Sequence, residues 1–295
     1  MRIGIGTYTF PWAIGGRKYA QAENLLPTPL LVETAGKLPG IQVVQVCDRS
    51  AAEELSVEDE KCVKARASDL GVMLQVGTRG IEPGHLSMFL SLAARLGCDL
   101  VRTMLPISGP GSDYPGAASI LREVLPEFEN AGIKLSLENH DRNPATDLRR
   151  LVERVANPMF GICLDTVNSY GIGEDSERVL DILAPVANCF HAKDYRIIRA
   201  DYGLGFHIIG APVGEGLLNI PGVLDRFAKA GIDPDIIIEH WTPPQTDIGA
   251  TLAMEAEWAR RSAYYLYNLL RQRTPAPAAR PAPSARPRPV PQQQP

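Results

Sequence analysis

Apolar residues recur along this chain in short, nearly unbroken runs at residues 2–6, 41–47, 72–76, 100–104, 133–137, 160–164, 188–191 and 236–239. A strand with one wet face alternates apolar and polar residues. A strand covered on both faces is apolar throughout, as in parallel sheets flanked by helices. The runs therefore predict eight buried parallel strands. Between them the apolar spacing changes to that of helices. Residues 87–96 carry Met88, Leu92 and Leu96 with Phe89 and Ala93 beside them. Residues 118–129 carry Ile120, Leu121, Val124, Leu125 and Phe128, and residues 147–155 carry Leu148, Leu151, Val152 and Val155. Residues 221–229 open on Pro221 and stop before Gly231, which is helix start and stop chemistry, and residues 255–270 form the longest segment. Strands alternating with helices in this number predict an α/β fold, a single-domain (β/α)8 TIM barrel over residues 1–273. A doubly wound sheet competes, but it usually carries a Gly-rich dinucleotide turn. Gly4 and Gly6 lack the third glycine, and Gly203 and Gly205 follow no strand.

Composition and charge narrow the class. The 295 residues are 45% hydrophobic and 22% charged, ordinary for a globular protein. No apolar run is long enough to span a membrane. The first residues, MRIGIGTYTFPWAIGG, are too polar and too interrupted by Gly and Pro for a secretory leader, so a cytoplasmic protein is expected. Residues 274–295 hold eight prolines, three arginines and no acidic residue, and are expected to be a disordered tail. Without those arginines the net charge of −4 becomes −7. So acidic a body repels phosphate backbones, and nucleic acid is not an expected partner. The cysteines 47, 62, 98, 163 and 189 form no CxxC pair and mostly sit in apolar runs, as small core residues in a reducing compartment do.

The strand ends carry the chemistry. The fifth run leads into Glu138-Asn139-His140-Asp141, the sixth into Asp165-Thr166-Val167-Asn168, the seventh into His191-Ala192-Lys193-Asp194 and the eighth into Glu239-His240-Trp241. In a barrel these ends converge on one rim, where the active sites of such folds lie. Carboxylates packed together in a low-dielectric cleft repel one another, and a divalent cation removes that cost. Glu138, Asp165, His191 and Glu239 make a hard, oxygen-rich set that suits Mn²⁺ best, or Mg²⁺ or Co²⁺, over a thiolate-type zinc site.

The motifs LENHD, CLDTVNSYG, FHAKDY, PVGEG and IIIEHW resemble the sugar phosphate isomerase/epimerase family of xylose isomerase-like TIM barrels, and the resemblance covers nearly all of residues 1–270. It implies one divalent metal held by Glu138, Asp165, His191 and Glu239, with Glu138 and Glu239 as the proton-transfer pair on a small keto-sugar. The expected reaction is isomerase or epimerase chemistry through a metal-stabilised enediolate.

Departures from the family pattern open an alternative. Many ketose epimerases have a histidine three residues after the metal aspartate; here Asn168 stands there, and an amide orients hydroxyls but does not shuttle protons. The arginine expected after the metal histidine is offset to Arg196 or Arg199, and His240-Trp241 follow Glu239. A decarboxylase or dehydratase of an oxo-sugar acid passes through the same enolate and needs only one proton donor. Lys193, His140, His240 and Arg102 are candidate holders of a carboxylate or leaving group, with Asn168 a further substrate ligand. Trp12, with Tyr8 and Phe10, is expected either to stack on a sugar or to pack in the core or against a subunit, while His207 sits in an expected flexible loop over residues 195–212. Lys193 and Asp194 are alternatively a pair of their own, and Glu215 is expected to be structural. DNA-repair endonucleases share the barrel but use several zinc ions and more histidines than the five here. Trp258, Tyr264, Tyr265 and Tyr267 face either the barrel or a second subunit in a homo-oligomer.

Overall fold

A computed structural model describes residues 1–15, 26–47, 55–109 and 111–273; the proline-rich residues 274–295 lie outside the described residues. Its centre is a closed parallel barrel of eight strands. In chain order these are β1 (Ile3–Gly6), β2 (Ile41–Cys47), β3 (Met73–Gly77), β4 (Leu100–Thr103), β5 (Lys134–Glu138), β6 (Phe160–Asp165), β7 (Ala187–Ala192) and, after a hairpin, β10 (Asp235–Ile238). The ring closes where β1 pairs with both β2 and β10. All eight expected strands are present, with no end moved by more than one residue.

Helices α1 (Thr28–Ala35), α2 (Val57–Leu70), α3 (Pro83–Leu96), α4 (Tyr114–Ala131), α5 (Ala145–Val155), α6 (Ser176–Leu183), α7 (Ile220–Ala230) and α8 (Ile248–Arg273) follow the strands. The spacing of apolar residues revealed five of them but not α1, α2 or α6. Helix α2 buries only Val63 and Ala67, so its apolar stripe is too thin to see. It is instead delimited by capping. Ser56 accepts a hydrogen bond from the Asp59 amide, acidic residues fill its first turn, and Gly71 ends it at φ 64°.

The expected flexible loop over residues 195–212 is corrected by the structure. Strands β8 (Asp194–Arg199) and β9 (Phe206–Ala211) form an antiparallel hairpin, with Ile197 opposite Ile208. The runs DYRIIR and FHIIGA on either side of a Gly-containing turn are short and do not alternate, so the glycines were the more visible feature. Gly203 and Gly205, both at φ 81°, supply that turn. His207 lies exposed on β9, edge-on to Tyr202.

The outer core lies between strands and helices, with Phe89, Phe128, Phe190 and Phe227 fully buried. Inside the barrel, Val43, Leu100, Cys163, Cys189 and Ile237 form a separate small cluster. Close packing there requires Gly4, because a Cβ would stand 2.6 Å from Ile237 Cδ1 and 2.9 Å from Val43 Cβ. The described cysteines are all free thiols, four of them buried, as the sequence implied.

Below this layer the barrel is closed by polar groups. Arg2 Nε donates to Asp235 Oδ1 at 2.9 Å and its other arm binds Asp99. Gln75 Nε2 donates to Asp235 Oδ2 at 2.8 Å and to Asp99 Oδ1 at 3.2 Å.

Candidate active site

Glu138 and Asp165 are the last residues of β5 and β6, His191 lies near the end of β7, and Glu239 directly follows β10. Strand register places Asp165 opposite His191 and Ile237 opposite His191, which brings these strand ends level at the C-terminal rim. All four residues are buried, each 4% exposed or less. Ligand atoms of Glu138, Asp165 and His191 lie within 4.8 Å of one another. Glu239 joins them through His191, whose Nδ1 is 3.1 Å from Glu239 Oε1 and 3.6 Å from Glu138 Oε2.

The two glutamates have different surroundings. Arg102, 3% exposed at the rim end of β4, places two guanidinium nitrogens on Glu138 Oε2. Asn168 Nδ2 donates to Glu138 Oε1 at 2.8 Å. Burial pushes the Glu138 carboxyl up, but Arg102 and His191 outweigh it and hold the group below its usual range. Glu239 Oε2 instead faces Lys193 Nζ at 2.8 Å. The Lys193 ammonium also lies 2.5 Å from Asp165 Oδ2 and 3.4 Å from Asn168 Oδ1. Burial opposes its charge, but Asp165 and Glu239 raise its pKa well above the usual lysine value.

Asp165 is fixed from behind. Its Oδ1 accepts from the amides of Val167 at 2.7 Å and Asn168 at 2.9 Å. Asn139 spans β5 and β6, accepting from the Asp165 amide at 2.7 Å and donating to its carbonyl at 2.9 Å.

His191 Nε2 lies 2.8 Å from Gln45 Oε1, while its Nδ1 has no hydrogen-bond partner. Asp165 Oδ2 likewise receives no directed hydrogen bond, although Lys193 stands beside it. Burial would lower the His191 pKa, but Glu239 and Glu138 raise it to about 9. Nδ1 is thus aimed at two carboxylates and makes no directed hydrogen bond, a place where a bound cation would satisfy both the nitrogen and the carboxylates. The donor set of one imidazole and three carboxylates therefore fits a hard divalent ion held by Glu138, Asp165, His191 and Glu239.

Other expected residues are distributed differently. Arg102, Asn168 and Lys193 belong to the cluster. His140 is a rim residue paired with Asp141 at 2.6 Å. His240 is turned away from the cluster, because consecutive residues on an extended segment face opposite sides. Its Nδ1 meets Thr9 O at 3.3 Å, its Nε2 meets Ser262 Oγ at 3.0 Å, and burial lowers its pKa to about 4. It therefore ties β10 to α8. Trp12 Nε1 donates to Thr242 O at 2.8 Å, joining the loops after β1 and β10 beside the cluster.

Asp194 does not pair with Lys193. Its carboxylate accepts from the amides of Tyr195, Gly214, Gly216 and Leu218, which fixes the PVGEG turn. A Cβ on Gly216 would collide with Asp194 and Tyr195. Glu215 pairs with Arg261 and Arg196, a structural role as expected. Trp258 is buried and Tyr265 and Tyr267 pack on the core, while Tyr264 is exposed.

Sequence reasoning missed Gln45 and Glu255. Gln45 was visible as a polar residue within the apolar run IQVVQVC. Glu255 on α8 is buried and accepts from the amides of Trp12 and Ala13 at 2.9 and 3.0 Å. Nothing local in the sequence distinguishes it from a surface helix glutamate.

A closed parallel barrel with carboxylates and an imidazole gathered at its C-terminal rim defines a class of barrel enzymes. The xylose isomerase-like TIM barrel family model matches residues 85–267. A 3-oxo-isoapionate decarboxylase of Pectobacterium atrosepticum is 34% identical over 272 residues, covering 90% of this chain and 95% of that one. The chain belongs to the xylose isomerase-like TIM barrel family. Among solved structures, a D-psicose 3-epimerase from Clostridium cellulolyticum H10 with D-tagatose superposes with a TM-score of 0.67, at 14% identity, covering 91% of this chain and 99% of that one. A family member from Mycobacterium smegmatis in complex with magnesium gives a TM-score of 0.58, at 15% identity, covering 82% and 90%.

Proposed function

We propose that this protein is a divalent-metal-dependent carbon lyase that decarboxylates a small 3-oxo sugar acid. The observation that carries the reading is the asymmetry of the two glutamates. Glu138 is clamped by Arg102 and Asn168, whereas Glu239 shares a proton-bearing partner, Lys193. Epimerisation needs proton traffic on both faces of the reacting carbon, while decarboxylation needs it on one. The 34% identity to a 3-oxo-isoapionate decarboxylase supports the same choice.

In the reaction, the bond between C1 and C2 breaks, CO2 leaves, and the electron pair passes to the C3 oxygen as an enolate. A proton then adds at C2, giving a ketone one carbon shorter. A divalent cation held by Glu138, Asp165, His191 and Glu239, Mn²⁺ by the donor set, would supply Lewis-acid stabilisation of the oxygen charge that develops. Lys193 holds the proton destined for C2, and Glu239 orients its ammonium. Arg102 keeps Glu138 ionised. Asn168 binds both Glu138 and Lys193 and is placed to orient a substrate hydroxyl. These groups are buried, and the lower dielectric there strengthens each electrostatic contact.

The isomerase or epimerase reading keeps one supporting observation. Glu138 and Glu239 both approach His191 Nδ1, so the pair flanks a common point. Proton NMR in D2O with Mg²⁺-loaded protein separates the two. Supplied with 3-oxo sugar acids, the protein should release CO2 and place one deuterium in the shortened ketone. Deuterium exchange in ketoses with every carbon retained, and no CO2 from the acids, would refute the decarboxylase.

A further inference from the structure

A chain of side-chain hydrogen bonds crosses the barrel interior from its lower end to His191. Gln75 is fully buried, and its Nε2 faces Asp235 Oδ2 at 2.8 Å and Asp99 Oδ1 at 3.2 Å. Ionised carboxylates only accept, so this end of the amide is the nitrogen. Gln75 Oε1 consequently points up the barrel, where it accepts from Gln45 Nε2 at 3.0 Å. That fixes the Gln45 amide in turn, with its nitrogen down and its oxygen up. Gln45 Oε1 meets His191 Nε2 at 2.8 Å. An amide oxygen accepts and does not donate, so Nε2 must carry the proton. The direction of every bond is thus dictated by the two aspartates at the far end.

We propose that Gln75 and Gln45, anchored on Asp235 and Asp99, are positioning residues that hold His191 with its proton on Nε2 and its Nδ1 lone pair toward Glu138 and Glu239. Either ring nitrogen of a histidine can bind a metal, and the hydrogen bond made by the other decides which. Here Nε2 is committed to Gln45, and Nδ1 is the nitrogen left without a partner among the buried groups. The glutamines are 1% and 0% exposed, so water does not substitute for a missing link. If Gln75 is removed, the Gln45 amide keeps, apart from its bond to His191, only the weak contacts of its Nε2 with Cys189 Sγ and of its Oε1 with Cys47 Sγ, each at 3.5 Å. The amide can then turn and present a donor to His191 Nε2, which favours the tautomer with the proton on Nδ1. The inference rests on His191 being a metal ligand, as in the proposed function.

Isothermal titration of the full chain with Mn²⁺, with no substrate present, tests it directly. Gln45→Met should weaken binding about 10- to 100-fold, the usual effect of losing such a partner. Gln75→Met should weaken it about three- to tenfold, although it touches neither His191 nor any carboxylate of the rim. Gln45→Glu, whose oxygen still accepts from Nε2, should stay within about threefold of the wild type. In the Mg²⁺-loaded wild type, a slowly exchanging imidazole proton, assigned by its loss in His191→Asn, should appear and should vanish in Gln45→Met. Circular dichroism confirms that each variant is folded. Wild-type affinity in Gln45→Met overturns the proposal. Wild-type affinity in Gln75→Met, with Gln45→Met weakened, overturns the chain beyond Gln45. A wild-type protein that binds no divalent ion overturns the metal reading itself, a result distinct from either.

Discussion

The barrel carries a charged cluster at each end, buried at the rim and only part-buried at the lower end, and the two differ in how completely their buried polar atoms are matched. At the lower end one arginine meets two aspartates, and Gln75 donates to both carboxylates. At the rim, three carboxylates surround Lys193, Arg102 and His191. The buried polar atoms without a hydrogen bond, among the described residues, are Asp165 Oδ2, His191 Nδ1 and Thr242 Oγ1. Two of these three belong to the rim cluster and none to the lower one. Folding favours matched groups, so a cluster left incomplete at a strand-end rim marks a site shaped for something else to bind. A closed cluster at the other end reads as stability. Similar residue types thus have different uses, and the discriminating quantity is satisfaction, not charge.

The largest effect should come from the incomplete cluster. Glu239→Gln keeps the shape but removes one of the two carboxylates paired with Lys193 and one carboxylate of the cation set. Turnover of the true substrate should fall by about 10³-fold or more, within the usual range for losing an acid–base group together with charge stabilisation. The midpoint of thermal unfolding should change little, because one of several crowded carboxylates is neutralised. Retained turnover would remove Glu239 from the chemistry, and unfolding would make the rim a stability element like the lower end.

Metal addition sharpens the contrast. A ligand that binds only the folded state stabilises it by RT ln(1 + [L]/Kd), about 2.7 kcal/mol at a hundredfold excess over Kd. Mn²⁺ should therefore raise the unfolding midpoint of the wild type by several degrees, and EDTA should reverse it. Asp165→Asn should lose the response, whereas Asp235→Asn should keep it. An equal response in both variants would place the cation away from the rim.

Most of the fold was legible in the sequence because the eight strands are buried on both faces and read as apolar runs. The rim cluster was legible for a related reason. Glu138, Asp165, His191 and Glu239 each end such a run, and a polar residue there needs a use. What escaped depends on contacts between distant segments. His240 and Glu239 are neighbours in the chain, yet only the packing of α8 against β10 turns His240 toward Ser262. Lys193 and Asp194 are adjacent too, but Asp194 is taken by backbone amides of a turn twenty residues on. Helix α2 escaped because capping, not an apolar stripe, delimits it. Gln45 and Gln75 were visible as polar interruptions of buried strands. Their meaning appears only when both lie in one barrel interior, in line with His191.

The smallest expected effect belongs to the complete cluster. Asp235→Asn keeps one oxygen for Arg2 but turns the other into a donor facing Gln75 Nε2 and Arg2. Charge-assisted hydrogen bonds of this kind are worth about 1.5–3 kcal/mol each. Arg2 is about a third exposed, so solvent screens part of its attraction. The net loss should be about 2 kcal/mol, a fall of roughly 4–8 °C in the unfolding midpoint for a domain of this size. Catalysis should be spared. Asp99 still accepts from Gln75, so the orientation of Gln45 and the tautomer of His191 persist, and kcat/KM should stay within about threefold of the wild type. Thermal unfolding and steady-state kinetics on one preparation read both numbers. A variant as stable as the wild type but far less active would reverse the assignment of the two ends, making the lower cluster part of the catalytic apparatus and not its support.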